Sequence, residues 1–174
     1  MSHRLALDPP PADLVLVTRQ LADDTVAYAR TSPRKRVIQP FHKTEADALH
    51  RFLNAVQPDS YVRPHRHLDP PKPEAWIILR GRAAFFTFED DGRVRDQIEL
   101  SPTGDIFGVD LVPGVWHTFF ALEPDTLIFE VKTGPYVRAS DKAFAPWAPA
   151  EGAPGAEAYM RGLLDGFSRA AKTR

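Results

Sequence analysis

Between Tyr61 and Gly81 the chain reads YVRPHRHLDPPKPEAWIILRG. His65 and His67 stand two residues apart. A single carboxylate, Glu74, follows a loop fenced by Pro70, Pro71 and Pro73. Side chains two apart on an extended chain share a face, so Tyr61, Arg63, His65 and His67 are expected to form one stripe. A hairpin through the proline loop would return Glu74 beside it. Two imidazoles and one carboxylate on a concave face make a donor set for divalent first-row metals. His117, in VPGVWHTFF after the Pro113–Gly114 turn, could reach the same centre from another strand. Three imidazoles and one carboxylate would fill four positions of an octahedral ion and leave room for water or substrate. The chain has no cysteine, so thiolate sites and disulfides are excluded. One divalent transition metal is therefore expected on His65, His67, Glu74 and His117, and this donor set suits Fe, Mn, Ni, Co and Zn alike. The other histidines, His3, His42 and His50, read as ordinary polar or hydrogen-bonded residues.

Further chemistry could come from neighbours of these ligands. Arg63 shares the expected inward stripe, where it would bind a substrate carboxylate or phosphate in bidentate fashion, or else serve as a plain strand-end arginine. Tyr61 on the same stripe is a candidate for moving a proton. Glu130 sits within LIFEVKTGPY, too apolar a setting for an unpaired carboxylate. Either it faces the centre as a general base with a raised pKa, or it forms a buried ion pair with a residue such as Lys132. Tyr136 and Lys142 lie in an irregular tail that would either close the barrel mouth as a lid or pack outside, and Tyr136 is a substrate-binding candidate. The EDDG turn, Glu89 to Gly92, is too short for a calcium loop and reads as a hairpin turn.

The elements that must place these groups are short. Seventeen prolines and ten glycines are spread along 174 residues without a repeat period, as between the strands of a sandwich or barrel. Leu14 to Thr18 is β-prone, and Leu21 to Arg30 suits a helix stopped by Pro33. Strand patterns follow in RVIQPFH, SYVRPHRH, EAWIILRG, RAAFFTF, the two halves of DIFGVDLVPGVWHTFFAL, and DTLIFEVKT. The segment ALHRFLNAVQP fits either a helix or a strand. A last helix is expected at about Glu157 to Ala171. The resulting division is a leader and helix over 1–35, a single-domain barrel over 36–152 and a C-terminal helical segment over 153–174.

Composition removes several function classes. Apolar residues make up 43% of the chain, enough for a packed core. Twenty-two basic and 23 acidic residues leave a net charge of −1, with no electrostatic case for nucleic acid or an anionic membrane. There is neither a membrane-length apolar run nor a signal-peptide core, so the expected location is the cytoplasm.

The spacing His65, His67, Glu74 and, six residues further, Gly81 resembles the first motif of the cupin superfamily. Gly108, Pro113, Gly114 and His117 are similar to its second motif. The gap from His67 to Glu74 is longer than usual, and Ala121 stands where Asn is common. This resemblance implies an all-β cupin double-stranded β-helix with an N-terminal and a C-terminal helix, and it would make RFLNAVQP a strand. More narrowly, SPRKR, QPFH, YVRPHRH, PGVWHT, FEVKTGPY and DKAFAPWAPAEG are similar in order and spacing to the WbuC family of cupin metalloproteins, over about Arg30 to Gly152. Gln39 stands where that family has an Asn-containing stretch. That resemblance implies action on a carbohydrate-like ligand, a sugar or sugar nucleotide of bacterial surface-polysaccharide (O-antigen) biosynthesis, with isomerase or epimerase chemistry as the enzymatic form. Cupins also pair, so a homodimer is expected. The fold hosts other chemistry, and an Fe(II)-dependent dioxygenase and a non-catalytic sugar-binding module stand as alternatives.

Overall fold

The computed structural model describes residues 4–171. His3 and the outermost residues of the 1–35 and 153–174 segments lie outside that range. Helix α1 (Arg19–Thr31) starts where the Thr18 hydroxyl accepts the Leu21 N–H, and it ends at Ser32, ahead of Pro33. The β-prone run before it forms no strand, and Leu14, Leu16 and Val17 remain exposed. Residues 5–7 already occupy the free edge it could have joined: Leu7 N–H donates to Ile38 O, and Ile38 N–H to Leu5 O.

Ten strands follow: β1 (Arg36–Pro40), β2 (Leu49–Val56), β3 (His65–Arg66), β4 (Glu74–Arg80), β5 (Ala83–Phe88), β6 (Val94–Leu100), β7 (Gly108–Leu111), β8 (Trp116–Ala121), β9 (Thr126–Thr133) and β10 (Ala143–Phe144). Helix α2 (Ala156–Ala171) ends the described chain. The strands form two antiparallel sheets, ordered β1-β2-β9-β4-β7 and β10-β3-β8-β5-β6. The ambiguous ALHRFLNAVQP segment is strand β2. Its local periodicity is overridden by eight consecutive pairings with β9.

Three apolar layers hold this arrangement. Between the sheets lie Trp76, Ile78, Phe85, Leu100, Phe119 and Ile128. Helix α1 sets Val26 and Ala29 against the outer face of the first sheet, at Val37, Leu53 and Leu127. Helix α2 sets Met160 and Phe167 against the outer face of the second, at Phe86 and Phe120. AAFFTF and WHTFFA are buried at every position because both their faces are covered.

Two expectations about the first motif need correction. SYVRPHRH is not one strand, since only His65 and Arg66 pair. Pro64 lacks a ladder N–H and cannot continue the pairing, and the facing of side chains changes across this irregular stretch. Val62 joins the layer between the sheets, whereas Tyr61 packs outside with Phe120 and Tyr159. Nor does a hairpin bring Glu74 back, because β3 and β4 belong to different sheets. The proline loop crosses from one sheet to the other, and Glu74 faces the histidines across the interior.

Gly81 makes the turn from β4 to β5 with φ +73°, and a Cβ there would lie 2.5 Å from Thr126 Oγ1 and 3.0 Å from Thr126 Cα. Gly81→Ala should lower stability by at least about 1–2 kcal/mol, the cost of a left-handed alanine alone. Urea unfolding measures this. An unchanged midpoint would mean that the turn relaxes freely.

Candidate metal centre

His65 and His117 are direct partners on neighbouring strands β3 and β8, and His67 follows β3 by one residue. Glu74 opens β4 on the opposite sheet. All four are buried, with 2–3% of their surface exposed. The ring centroids of His65 lie 4.5 Å from His117 and 5.2 Å from His67. One nitrogen from each of the three imidazoles can be chosen so that all lie within 4.8 Å of one another. Glu74 completes the group, with Oε1 2.6 Å from His117 Nε2 and Oε2 3.5 Å from His67 Nε2.

The backs of the three rings decide which nitrogen faces inward. His65 Nδ1 meets Arg63 O at 2.9 Å, His117 Nδ1 meets Val115 O at 2.9 Å, and His67 Nδ1 meets Asp141 O. A backbone carbonyl can only accept, so each Nδ1 carries the proton and donates it. Each Nε2 then presents a lone pair to the interior. His67 Nε2, His117 Nε2 and Glu74 Oε1 are buried and make no hydrogen bond. Two acceptors 2.6 Å apart, His117 Nε2 and Glu74 Oε1, require a cation between them, either a proton or a metal ion. Neutral imidazoles fixed from behind by carbonyls, with one carboxylate opposite, form a donor set that fits a divalent ion. A narrow crevice, too tight to hold a water molecule, borders the group, lined by His67, Lys72, Glu74, Leu111, Val115 and His117 among others.

The surrounding charges set the electrostatics. Burial holds the His65 pKa well below its ordinary value, with the Lys142 ammonium adding to the effect. Burial also opposes the charge of Glu74, but in the metal-free centre a proton held by the facing His117, and then by His67, outweighs it and keeps the carboxyl well below its usual range. Glu130 hangs from β9 directly beside Trp76 of β4. Burial first, and then the nearby Glu74 carboxylate, push its pKa up to about 7. Its Oε2 accepts from Asn54 Nδ2 at 3.2 Å. Lys132, the pairing partner considered for Glu130, instead donates to Asp141 Oδ2 at 2.8 Å.

Other sequence candidates lie elsewhere. Tyr61 donates its hydroxyl to Pro149 O and packs beneath α2, so the expected proton carrier is a structural residue. Arg63 donates to Ala145 O at 2.6 Å, and its guanidinium lies over the Phe144 ring, so it braces the tail instead of reaching inward. Tyr136 is half-buried in the tail, its N–H bonded to Glu45 O. Its phenol pKa is raised by burial and then by the charge of Asp141. His50 is buried and His42 stacks on it at 3.9 Å, each bonded to a backbone carbonyl.

Sequence reasoning missed the buried salt bridge behind His67. Asp141 Oδ1 and Oδ2 accept from Lys72 and Lys132, both at 2.8 Å, and all three residues are buried. Lys72 sits in the proline loop, where a lysine ordinarily signals solvent, and no spacing rule joins it to Asp141.

Comparison with known proteins follows this geometry. A family described as a domain of unknown function, DUF6016, matches residues 17–100, which take in His65, His67 and Glu74 but stop short of His117. No curated protein matches the chain. Among solved structures, the L-ribose isomerase of Cellulomonas parahominis superposes with a TM-score of 0.50 at 15% identity, over 64% of this chain and 70% of that one. The chain has the cupin fold. KdgF from a Halomonas species aligns with a TM-score of 0.48 at 18% identity, over 63% of this chain and 87% of that one. Oxalate decarboxylase of Lactobacillus farciminis gives 0.44 at 16% identity over 57% of this chain, which spans only 28% of the decarboxylase. No helix among the described residues is long and apolar enough to cross a membrane.

The raised pKa of Glu130 carries a pH signature. A carboxyl at 4.5 when unfolded and about 7 when folded favours the folded state most below pH 4.5, and that contribution is lost as pH rises through 7. In metal-free protein, Glu130→Gln should therefore gain melting temperature relative to the parent between about pH 4.5 and 7, and the difference should be flat outside that window. A pH-independent difference would mean that Glu130 is not strained by burial.

Proposed function

We propose that the chain is a divalent-metal cupin acting on a carbohydrate-like small molecule, with His65, His67, Glu74 and His117 as the metal ligands. One observation carries this reading: three imidazoles pinned at Nδ1 by carbonyls turn their Nε2 atoms toward Glu74, and His67 Nε2, His117 Nε2 and Glu74 Oε1 are buried there without a hydrogen bond. When bound, a divalent ion would polarise a carbonyl or hydroxyl oxygen of the substrate.

Glu130 is the residue we assign to hold and move the proton. It lies two cross-strand rows from Glu74, on the same face of the sheet, and burial pushes its carboxyl up to about 7. That pairing suits isomerase or epimerase chemistry. Tyr136, at the tail, is the substrate-binding candidate that remains. The similarity of the ordered motifs to the WbuC family supports a sugar or sugar nucleotide of surface-polysaccharide biosynthesis, in the cytoplasm, handled by a barrel spanning 36–152 that pairs as a homodimer.

Elemental analysis of untagged protein prepared without chelator tests the centre. About one divalent ion per chain is expected in the parent, and none in the His65→Ala/His117→Ala double variant. No metal in either after reconstitution would overturn the reading and leave the histidines as acid-base groups. Equal metal in both would place the ion elsewhere.

A further inference from the structure

A buried salt bridge joins the two sheets behind the four ligands. Lys132 belongs to β9 of the first sheet, where it is the direct cross-strand partner of Glu74. Lys72 lies in the proline loop, two residues before Glu74. Asp141 lies two residues before β10, which pairs with β3 of the second sheet. Its Oδ1 accepts from Lys72 Nζ and its Oδ2 from Lys132 Nζ, both at 2.8 Å. The three side chains are only 2–7% exposed. The main-chain O of the same Asp141 accepts from His67 Nδ1. One residue thus grips the neighbours of Glu74 with its side chain and the back of His67 with its backbone.

Apolar burial does not hold this segment. From residue 133 to residue 144, Asp141 is the only buried residue, 137–140 are exposed, and β10 is two residues long. The near end is bonded to the 45–48 loop, Gly134 N–H to Ala48 O at 2.9 Å and Tyr136 N–H to Glu45 O at 2.8 Å. Where the Asp141 carbonyl sits is therefore left to the ion pairs. A buried salt bridge adds little net stability over apolar residues of similar volume. It does penalise displacement, because a shifted Asp141 would leave two buried ammoniums without their carboxylate. His65 and His117 need no such device, since each donates to the carbonyl two residues before it, Arg63 O and Val115 O.

We propose, resting on the reading of the four residues as metal ligands, that Asp141 is a positioning residue: its clasp on Lys72 and Lys132 sets the carbonyl that keeps His67 protonated at Nδ1, with Nε2 turned toward Glu74. The clasp fixes one ligand of the second sheet against the one ligand of the first. Asp141 itself touches neither ion nor substrate.

Asp141→Asn tests this, because it keeps the backbone carbonyl and the side-chain size and removes the charge. Nitrogen-15 NMR of the imidazoles reads each ring's tautomer in chelator-treated protein at about pH 8, above the ordinary imidazole pKa of about 6.5. In the variant the His67 signals should move toward the average of the two tautomers, while those of His65 and His117 keep the parent's positions. Zn²⁺ affinity, measured by competition with a chromogenic chelator, should fall about 10–100-fold. Lys72→Met leaves Asp141 paired with Lys132, should move the same ring by less, and repeats the test should Asp141→Asn not fold. His67 signals unmoved in the folded variant, all three rings moving together, or unchanged Zn²⁺ affinity beside a parent that binds the ion would overturn the proposal. A parent that binds no Zn²⁺ would overturn the metal reading instead, and the ring signals would then decide the clasp alone.

Discussion

Three hydrogen bonds from imidazole to backbone govern this molecule. An unconstrained histidine can present either nitrogen and either tautomer. Here Arg63 O, Val115 O and Asp141 O remove that freedom at His65, His117 and His67. Two of the three acceptors belong to the residue two positions before the histidine, so the local chain orients its own imidazole. The third comes from the tail, 74 positions along the chain. The rest of the fold can be understood as what brings those carbonyls into place: β3 and β8 paired at His65 and His117, and a tail held over His67 by Lys72 and Lys132.

The two-layer architecture explains why such a polar cluster is tolerated. Each sheet is covered outside by one helix, and the space between them is filled by aromatic and branched residues away from the cluster. The charges are gathered at one end, where Glu74, Lys132 and Leu111 share a cross-strand row. Burial makes each unpaired group there costly, a cost that a bound guest or ion would lift.

Much of this was legible in the sequence. The two-residue spacing of His65 and His67, the lone Glu74 and the Pro-Gly turn before His117 are local signals, and they point to residues the fold gathers. The strands of DTLIFEVKT and EAWIILRG were equally plain from β-branched and aromatic runs. What was hidden depends on tertiary partners. The side-chain alternation that placed Tyr61 with His65 fails at Pro64, because an imide cannot sustain the ladder. The hairpin expected for Glu74 assumed that sequence neighbours pair, whereas the proline loop changes sheets. Lys72 and Asp141 lie 69 positions apart, and neither carries a mark of its burial.

The hydrogen bond from His67 to Asp141 joins residues 74 positions apart, and it makes the tail part of the centre. An ion drawn to His67 Nε2 would strengthen the ring's donation to Asp141 O, and a well-seated tail would in turn pre-orient the ring for the ion. Closing the barrel and loading it are then two arms of one thermodynamic cycle, and each must favour the other by the same factor. Seen this way, the tail at Asp141 would be an effector of any ion bound there, built into the same polypeptide.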